Sequence, residues 1–303
     1  MNKKLSIVIP CYERDTFLAE AIESVIPYKN ICEIIVLDNA STNENIKKIC
    51  GNYTDVLYIK NKKNLGLFGN WNKAFNVSRC EFVLILGDDD ILLPSFIEGF
   101  YKTIEKRTQV DIYYSKFKCI DMLGKEIDYT FPYPLGDITK DAAIKYAVKN
   151  GFGLPTISMC YRKTLFSDNG FDEINFGSND WFYLYGEMPW KYAYGSSDVG
   201  IYYRKHGDGI SDKMSSTCTI SIFILFHSIS NGKLSIVYFK YFYSALLAYK
   251  KMKNESPFEK ESYPDEFNKI INESSLLCIT GFFIDTIFFS SIKKIKQWIK
   301  RLK

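Results

Sequence analysis

The chain has 303 residues, 47% of them apolar and 24% charged, a composition that excludes a disordered or fibrous protein. Its net charge of +4 comes from the C-terminal segment IKKIKQWIKRLK, which has six basic residues and no acid and leaves about −2 for the rest. A basic surface for nucleic acid is therefore not expected. The eight cysteines form no CxxC pair, which argues against a zinc site or a disulfide scaffold and predicts reduced thiols in a cytosolic protein.

The first half of the chain alternates apolar strand patterns with helical patterns. Strands are predicted at LSIVIP, EIIVLD, VLYIK and FVLILG, and helices at DTFLAEAIESVI, STNENIKKIC, FGNWNKAFNVS and PSFIEGFYKTIEK. Ser41 and Glu44 have the spacing of a capping box at the start of the second helix. This alternation predicts an α/β fold with a mostly parallel central sheet and flanking helices.

Residues 110–215 have a less regular pattern. A strand and hairpin are expected in DIYYSKFKCIDMLGKEI, and further strands in TISMCYRKTLF and at the start of DVGIYYRKHGDGIS, which ends in a Gly-rich loop. Helices are expected in TKDAAIKYAVKNG and SNDWFYLYGEM. After this point the segments are apolar with a helical period. The sequence therefore predicts two regions, residues 1–215 with the sheet and residues 216–303 as a helical C-terminal region.

The last helical segment is amphipathic. Ile292, Ile295, Ile299 and Leu302 recur at three- and four-residue steps with lysines between them, as in helices that lie in a membrane interface. Asp285 interrupts the apolar run before them and disfavours a transmembrane span. The tail predicts peripheral contact with the inner, cytoplasmic face of the cell membrane. The alternative is a solvated terminal helix packed on the body.

Asp88, Asp89 and Asp90 follow the apolar strand FVLILG. Ligands of open α/β sheets bind beyond the carboxyl ends of the strands. Three adjacent carboxylates stay ionised together only beside a cation, and oxygen ligands at this density suit Mg²⁺ or Mn²⁺, which commonly bridge nucleotide phosphates. The alternative is an acidic N-terminus of the helix that begins at Pro94.

Four segments in order, LSIVIPCYER, EIIVLDNAST, NLGLFGNWNKAF and FVLILGDDDILLP, resemble the inverting family 2 glycosyltransferases of the GT-A fold, of the bacterial surface-glycan type. The resemblance covers residues 4–106 and continues more loosely to residue 211 through GFDEINFGSNDWFYLYG and YYRKHGDGIS. It implies a GT-A, Rossmann-like domain. It also implies transfer of a hexose, with inversion, from a nucleotide-sugar donor such as a UDP-sugar to a hydroxyl of a surface polysaccharide or lipid-linked glycan acceptor.

The resemblance implies roles at the matching donor-side positions. Asp38 would hydrogen-bond the nucleotide base, Asp88 would contact the ribose, and Asp89 or Asp90 would bind Mn²⁺ or Mg²⁺. His206 would approach the metal or the diphosphate. The pocket for the base would be lined by Pro10, Tyr12, Glu13 and Arg14, and the other implied nucleotide-sugar-binding residues are Asn64, Gly66, Asn72, Asp89 and Arg204.

On the acceptor side, inverting transfer needs a general base that deprotonates the attacking hydroxyl. The resemblance assigns this role to Asp180, and Asp172 is a second candidate. The family usually has a Glu-Asp pair here, and Asn179 stands in place of the Glu. Two other departures are Gly87, where the family usually has an Asp, and Trp71, where it usually has an Arg.

Two other functions remain open from the sequence. A sugar-1-phosphate nucleotidyltransferase usually carries a glycine-rich phosphate loop after its first strand, and CYERDTFLAE contains no glycine. A non-catalytic, membrane-associated scaffold would show no metal-dependent binding of UDP.

Overall fold

The structure is a computed structural model, and it describes residues 3–129, 132–150, 153–166, 170–171 and 179–206. The chain divides into two compact units, and the larger one comprises Met1–Ala147, Phe152–Ile174 and Asn179–Gly209. The predicted helical region and its basic tail lie outside the described residues. The division near residue 215 therefore stays a prediction.

Ten strands of the described residues form one sheet. The strands are β1 Leu5–Cys11, β2 Cys32–Asp38, β3 Leu57–Lys60, β4 Phe82–Ile85, β5 Ile91–Leu92, β6 Ile112–Ile120, β7 Glu126–Ile127, β8 Gly136–Thr139, β9 Met159–Arg162 and β10 Tyr192–Arg204. Their order across the sheet is β3-β2-β1-β4-β9-β6-β10-β5, with β7 beside β6 and β8 beside β10.

The first four strands form the parallel part of this sheet. β1 pairs in parallel with β2 and β4, and β2 pairs in parallel with β3. Residues of β1, β2 and β4 are almost all buried, which explains their continuous apolar sequences. β9 then runs antiparallel between β4 and β6, while β10 is parallel to β6. The sheet is therefore mixed, and the predicted α/β class is confirmed.

The helices agree in position with the sequence patterns. They are α1 Leu18–Val25, α2 Glu44–Gly51, α3 Gly66–Val77, α4 Pro94–Lys106, α5 Lys140–Asn150 and α6 Asn179–Phe182. Residues Tyr183–Glu187 continue α6 as a π-helix. Within the described ranges, no helix is long and apolar enough to cross a membrane.

The capping box predicted at the start of α2 is wrong. Asn43 caps this helix, and its side chain accepts a hydrogen bond from the N–H of Asn45. The hydroxyl of Ser41 instead accepts a hydrogen bond from the N–H of Glu13, at 2.9 Å. Ser41 is therefore used to join two loops and not to begin the helix.

The core lies between the sheet and helices α1 and α4. Phe96 and Phe100 of α4 pack edge-on against Tyr113 of β6 and Phe82 of β4. Edge-to-face contacts of this kind add to the stabilisation that burial of the rings provides. The six cysteines of the described segments are buried and form no disulfide, as the sequence predicts.

The register of the parallel strands brings three loops to one edge of the sheet. Cys11, the last residue of β1, pairs with Asp38, the last residue of β2. The N–H of Leu86, just after β4, donates to the carbonyl of Val8 in β1 at 2.9 Å. The loops that follow β1, β2 and β4 therefore begin side by side.

β10 approaches β6 closely at Gly195. A Cβ atom on Gly195 would lie 2.5 Å from a ring carbon of Tyr114, which is fully buried and cannot move aside. We expect Gly195→Ala to lower the free energy of unfolding by about 1–3 kcal/mol through overpacking. Urea unfolding would measure the change. The matched control is Gly51→Ala, because a Cβ atom at Gly51 meets nothing within 4 Å. Equal stability of the two variants would contradict this account of the packing.

Candidate active site

Glu13 joins the loop after β1 to the loop after β2. Its backbone is left-handed, with φ of 59°, a conformation that non-glycine residues keep only where neighbouring contacts fix it. The Glu13 carboxylate accepts hydrogen bonds from the N–H groups of Thr42 at 2.8 Å and Asn43 at 3.2 Å. The Asn43 side chain donates to the Glu13 carbonyl at 3.2 Å. Glu13, expected in the base pocket, thus has its carboxylate at the start of α2.

Asp38 is fully buried at the end of β2. Its Oδ1 accepts the N–H of Ser41 at 2.8 Å, and its Oδ2 accepts the hydroxyl of Tyr58 at 2.6 Å. Both oxygens are therefore occupied by groups of the protein. These two hydrogen bonds fix the loop after β2, and the expected contact of Asp38 with the nucleotide base stays a prediction.

Asparagine side chains connect the ends of β2 and β3 with the start of α3. The amide of Asn39 donates to Oδ1 of Asn64 at 2.8 Å and to the carbonyl of Gly66 at 3.0 Å. Asn61 donates to Oδ1 of Asn39 and to Oδ1 of Asn70, both at 2.9 Å. Asn64 and Gly66, two residues assigned to the donor, are thereby fixed beside the end of β2.

Asn72 holds a segment of backbone that lies 99 residues further along the chain. Its amide donates to the carbonyl of Phe171 and its Oδ1 accepts the N–H of Phe171, both at 2.7 Å. Trp71 packs edge-on against the ring of Phe171, with centroids 5.6 Å apart. These contacts favour a positioning role for Asn72 over the expected contact with the donor, and they give Trp71 an apolar role.

Arg14, Asp88, Asp89 and His206 come together at the ends of β1, β4 and β10. The guanidinium of Arg14 forms an ion pair with Asp88, and its Nη1 lies 3.0 Å from Oδ2 of Asp89. Nε2 of His206 lies 2.9 Å from the same Asp89 oxygen and 3.4 Å from Arg14 Nη1. Four residues that the resemblance assigns to the donor or the metal are therefore neighbours.

Arg204 supports this group from beneath. Its side chain is 1% exposed and donates from Nε to the Asp89 carbonyl at 2.9 Å and from Nη2 to Glu20 at 2.6 Å. Its guanidinium also lies over the ring of Phe17, and its N–H donates to Oδ1 of Asp90 at 3.0 Å. The Arg204 guanidinium is thus held by Glu20, the Asp89 carbonyl and the ring of Phe17, and its expected contact with the diphosphate stays a prediction.

Burial and mutual repulsion set the electrostatics of the carboxylates. Burial raises the pKa of Asp88 to about 6, against the opposing effect of Arg14. Burial and the charge of Asp89 also raise the pKa of Asp90 well above its usual value. A Cβ atom on Gly87 would lie 2.6 Å from Oδ2 of Asp90. The conformation of the three carboxylates therefore requires glycine at this position.

The three predicted metal ligands are only partly assembled. Asp89 and His206 present donor atoms 2.9 Å apart, whereas Asp90 is turned toward the N–H of Arg204. Across the described parts of the chain, no group of three His, Cys, Asp or Glu side chains is placed to hold a metal ion. The carboxylate of Asp89 together with substrate phosphates is a donor set of the kind that commonly holds Mg²⁺ or Mn²⁺.

Asp180, the predicted general base, lies in α6. Its Oδ2 accepts a hydrogen bond from the hydroxyl of Thr156 at 2.7 Å. Burial raises the pKa of Asp180, and the Thr156 hydrogen bond opposes the rise. Thr156 was not predicted as part of the site, because no local pattern connects it to a partner 24 residues later in the chain. Asp172 and the side chain of Asn179 lie outside the described residues.

Two remaining donor-side predictions fall at the end of β1. Pro10 is half-buried beside Leu37 of β2. Tyr12 is 47% exposed, so an aromatic face is available to a ligand at this edge of the sheet.

The raised pKa of Asp88 makes the free energy of unfolding depend on pH. The folded protein binds the proton of Asp88 more tightly than the unfolded chain does. The stability that this protonation adds is therefore fully present below about pH 4 and is lost as the pH rises through about 6. We expect the free energy of unfolding of the wild type to fall relative to that of Asp88→Asn by about 2–3 kcal/mol across this window. Chemical unfolding at a series of pH values would measure it.

The control is Asp55→Asn. Its hydrogen bond with Lys29 lowers the pKa of the exposed Asp55, so its titration falls below the same window. If the free energies of unfolding of the wild type and Asp88→Asn change in parallel with pH, Asp88 does not titrate in this pH window.

The proteins that this chain resembles in sequence are glycosyltransferases. The Glycosyl transferase family 2 profile matches residues 6–165, more than half of the chain. An uncharacterised glycosyltransferase of Methanocaldococcus jannaschii is 36% identical over 132 residues, which cover 41% of this chain and 45% of that protein. GlyG of Streptococcus pneumoniae is 31% identical over 115 residues, which cover 35% and 37%. The aligned part spans less than half of each of these relatives.

Among solved structures, S. aureus TarS 1–349 in complex with UDP-GlcNAc superposes with a TM-score of 0.57 and 18% identity, over 80% of this chain and 72% of TarS 1–349. The same fragment in complex with UDP gives a TM-score of 0.58. These superpositions confirm the predicted GT-A fold. The profile match, which covers more than half of the chain, shows that the chain belongs to glycosyltransferase family 2.

Proposed function

We propose that this chain is a metal-assisted, inverting glycosyltransferase that uses a UDP-sugar. The observation that carries the proposal is the group of Arg14, Asp88, Asp89 and His206 at the carboxyl ends of the strands. This edge is where α/β sheets bind nucleotides. The group combines oxygen ligands with a guanidinium, which suits a diphosphate and its cation.

The donor would lie along this edge. The exposed ring of Tyr12 offers a stacking surface for the base, and Asp88 would accept a hydrogen bond from the ribose. Asp89 and His206 would hold Mn²⁺ or Mg²⁺, which when bound offsets charge on the diphosphate leaving group. The UDP and UDP-GlcNAc complexes of TarS support a uridine donor for a chain of the same fold.

Asp180 would act as the general base. The acceptor hydroxyl gives its proton to the Asp180 carboxylate as the oxygen attacks the anomeric carbon, and the bond to the diphosphate breaks on the opposite face. Burial raises the pKa of Asp180 and so makes it a better proton acceptor than an exposed aspartate. The Thr156 hydroxyl fixes one carboxylate oxygen and orients the other.

This mechanism predicts different effects for two matched substitutions. Asp180→Asn should lower transfer by about 10²–10⁴-fold while leaving UDP binding nearly unchanged, because it removes proton transfer alone. Asp89→Asn should remove the Mn²⁺-dependent part of UDP binding. A screen of UDP-sugars for transfer or donor hydrolysis and calorimetry with UDP, with and without Mn²⁺, would measure these effects.

Asp55→Asn is the control for both, since Asp55 is exposed and pairs with Lys29 at the surface. If Asp180→Asn weakens UDP binding as much as it slows transfer, the assignment of the base is wrong. If no UDP binds with or without Mn²⁺, the proposed function is wrong.

The acceptor we propose is a surface-polysaccharide or lipid-linked glycan at the cytoplasmic face of the membrane. This part rests on the amphipathic basic segment of residues 292–303. Deletion of this segment should reduce co-sedimentation with vesicles, and more so for vesicles that contain anionic lipid, because it removes an apolar face and six basic residues. Unchanged co-sedimentation would assign the segment to the alternative, a terminal helix packed on the body.

A further inference from the structure

We propose that Arg14 is a built-in counter-ion of the carboxylate group and competes with the divalent cation for Asp89. The inference rests on the proposed function, since it takes Asp89 as a ligand of that cation. It adds that an arginine of this chain sets the metal affinity of the site and couples metal binding to nucleotide binding.

One oxygen of Asp89, Oδ2, is the partner of Arg14 and also the atom proposed to bind the cation. Oδ2 of Asp89 lies 3.0 Å from Nη1 of Arg14 and 2.9 Å from Nε2 of His206. A Mg²⁺ ion bound to this oxygen would lie about 2.0–2.1 Å from it, and Mn²⁺ would use the same kind of ligand. Its charge would repel the guanidinium, and strongly so where water is partly excluded. Arg14 and the cation therefore compete for this oxygen.

The side chain of Arg14 has room to change its position, whereas that of Arg204 does not. The side chain of Arg204 is 1% exposed and is hydrogen-bonded to Glu20 and to the carbonyl of Asp89. The side chain of Arg14 is 43% exposed and contacts the carboxylates from the solvent side of the loop after β1. Of these two arginines, Arg14 is the one that can yield its place to an incoming cation.

A bound diphosphate would be a new partner for Arg14. A guanidinium displaced from Asp89 can remain on Asp88, to which Nη2 of Arg14 is already paired, and turn its other face to phosphate oxygens. The nucleotide thus gives Arg14 a new partner at the moment when the cation takes Asp89. Nucleotide should then strengthen Mn²⁺ binding, and by reciprocity Mn²⁺ should strengthen nucleotide binding.

The test measures Mn²⁺ alone. The full chain would be titrated with Mn²⁺ without nucleotide, and the free ion would be followed by electron paramagnetic resonance. We expect Arg14→Gln to bind Mn²⁺ about tenfold more tightly than the wild type, because the competing charge is gone. Arg14→Lys, which keeps the charge but loses the two-pronged geometry, should fall between them. With UDP present, the gain in Mn²⁺ affinity should be smaller in Arg14→Gln than in the wild type.

Two controls localise the effect. Arg107→Gln removes an arginine that is also paired with one carboxylate through two nitrogens, that of Asp137, and should leave Mn²⁺ binding unchanged. Combining Arg14→Gln with Asp89→Asn should abolish the gain. If Arg14→Gln does not fold, Arg14→Lys alone must still bind Mn²⁺ more tightly than the wild type.

Equal or weaker Mn²⁺ binding in the Arg14 variants would overturn the inference, as would a lack of Mn²⁺ binding by every variant. Neither result touches UDP binding or sugar transfer by the wild type, which decide the proposed function separately.

Discussion

The repulsion among three adjacent carboxylates is the constraint around which this site is organised. Asp88 and Asp90 are buried, and burial raises the pKa of both. The chain stabilises their ionised forms from two sides, with Arg14 at the solvent side and the N–H of Arg204 beneath. Gly87 belongs to the same solution, because any side chain there would meet the Asp90 carboxylate. The conformation of Asp89 and Asp90 thus leaves no room at residue 87 for the Asp side chain that the family usually has there.

Several polar residues at the strand ends use their side chains to hold loops in place. Glu13 and Asn72 accept hydrogen bonds from backbone N–H groups of distant segments, and Asp38 accepts one from Ser41 in its own loop. Buried polar groups need such partners, and partners supplied by distant segments fix the relative positions of those segments. The resemblance assigned these residues to the donor. That assignment stays a prediction, and the hydrogen bonds of Glu13 and Asp38 fix the loops that follow β1 and β2.

Much of the fold followed from the sequence, because buried parallel strands and amphipathic helices leave strong periodic patterns. β1 to β4 and α1 to α4 lie where those patterns predict them. β5 and β8 were missed, since two- and four-residue strands carry too little periodicity. At the site, the neighbours Arg14, Asp88, Asp89 and His206 could be predicted from strand ends and family motifs. The direction in which Arg204 and Asp38 point could not, because it depends on partners such as Glu20 and Tyr58 that no local pattern connects to them.

The position of β10 has a consequence for where this chain can be shortened. The family profile ends at residue 165, yet β10 at Tyr192–Arg204 lies inside the sheet between β6 and β5. A fragment cut at the profile boundary would leave one side of β6 unpaired and would also lose Phe171, which covers Trp71 and Phe68. An open strand edge beside uncovered aromatic rings is a surface on which chains aggregate. The boundary of sequence similarity is therefore not the boundary of a soluble folding unit.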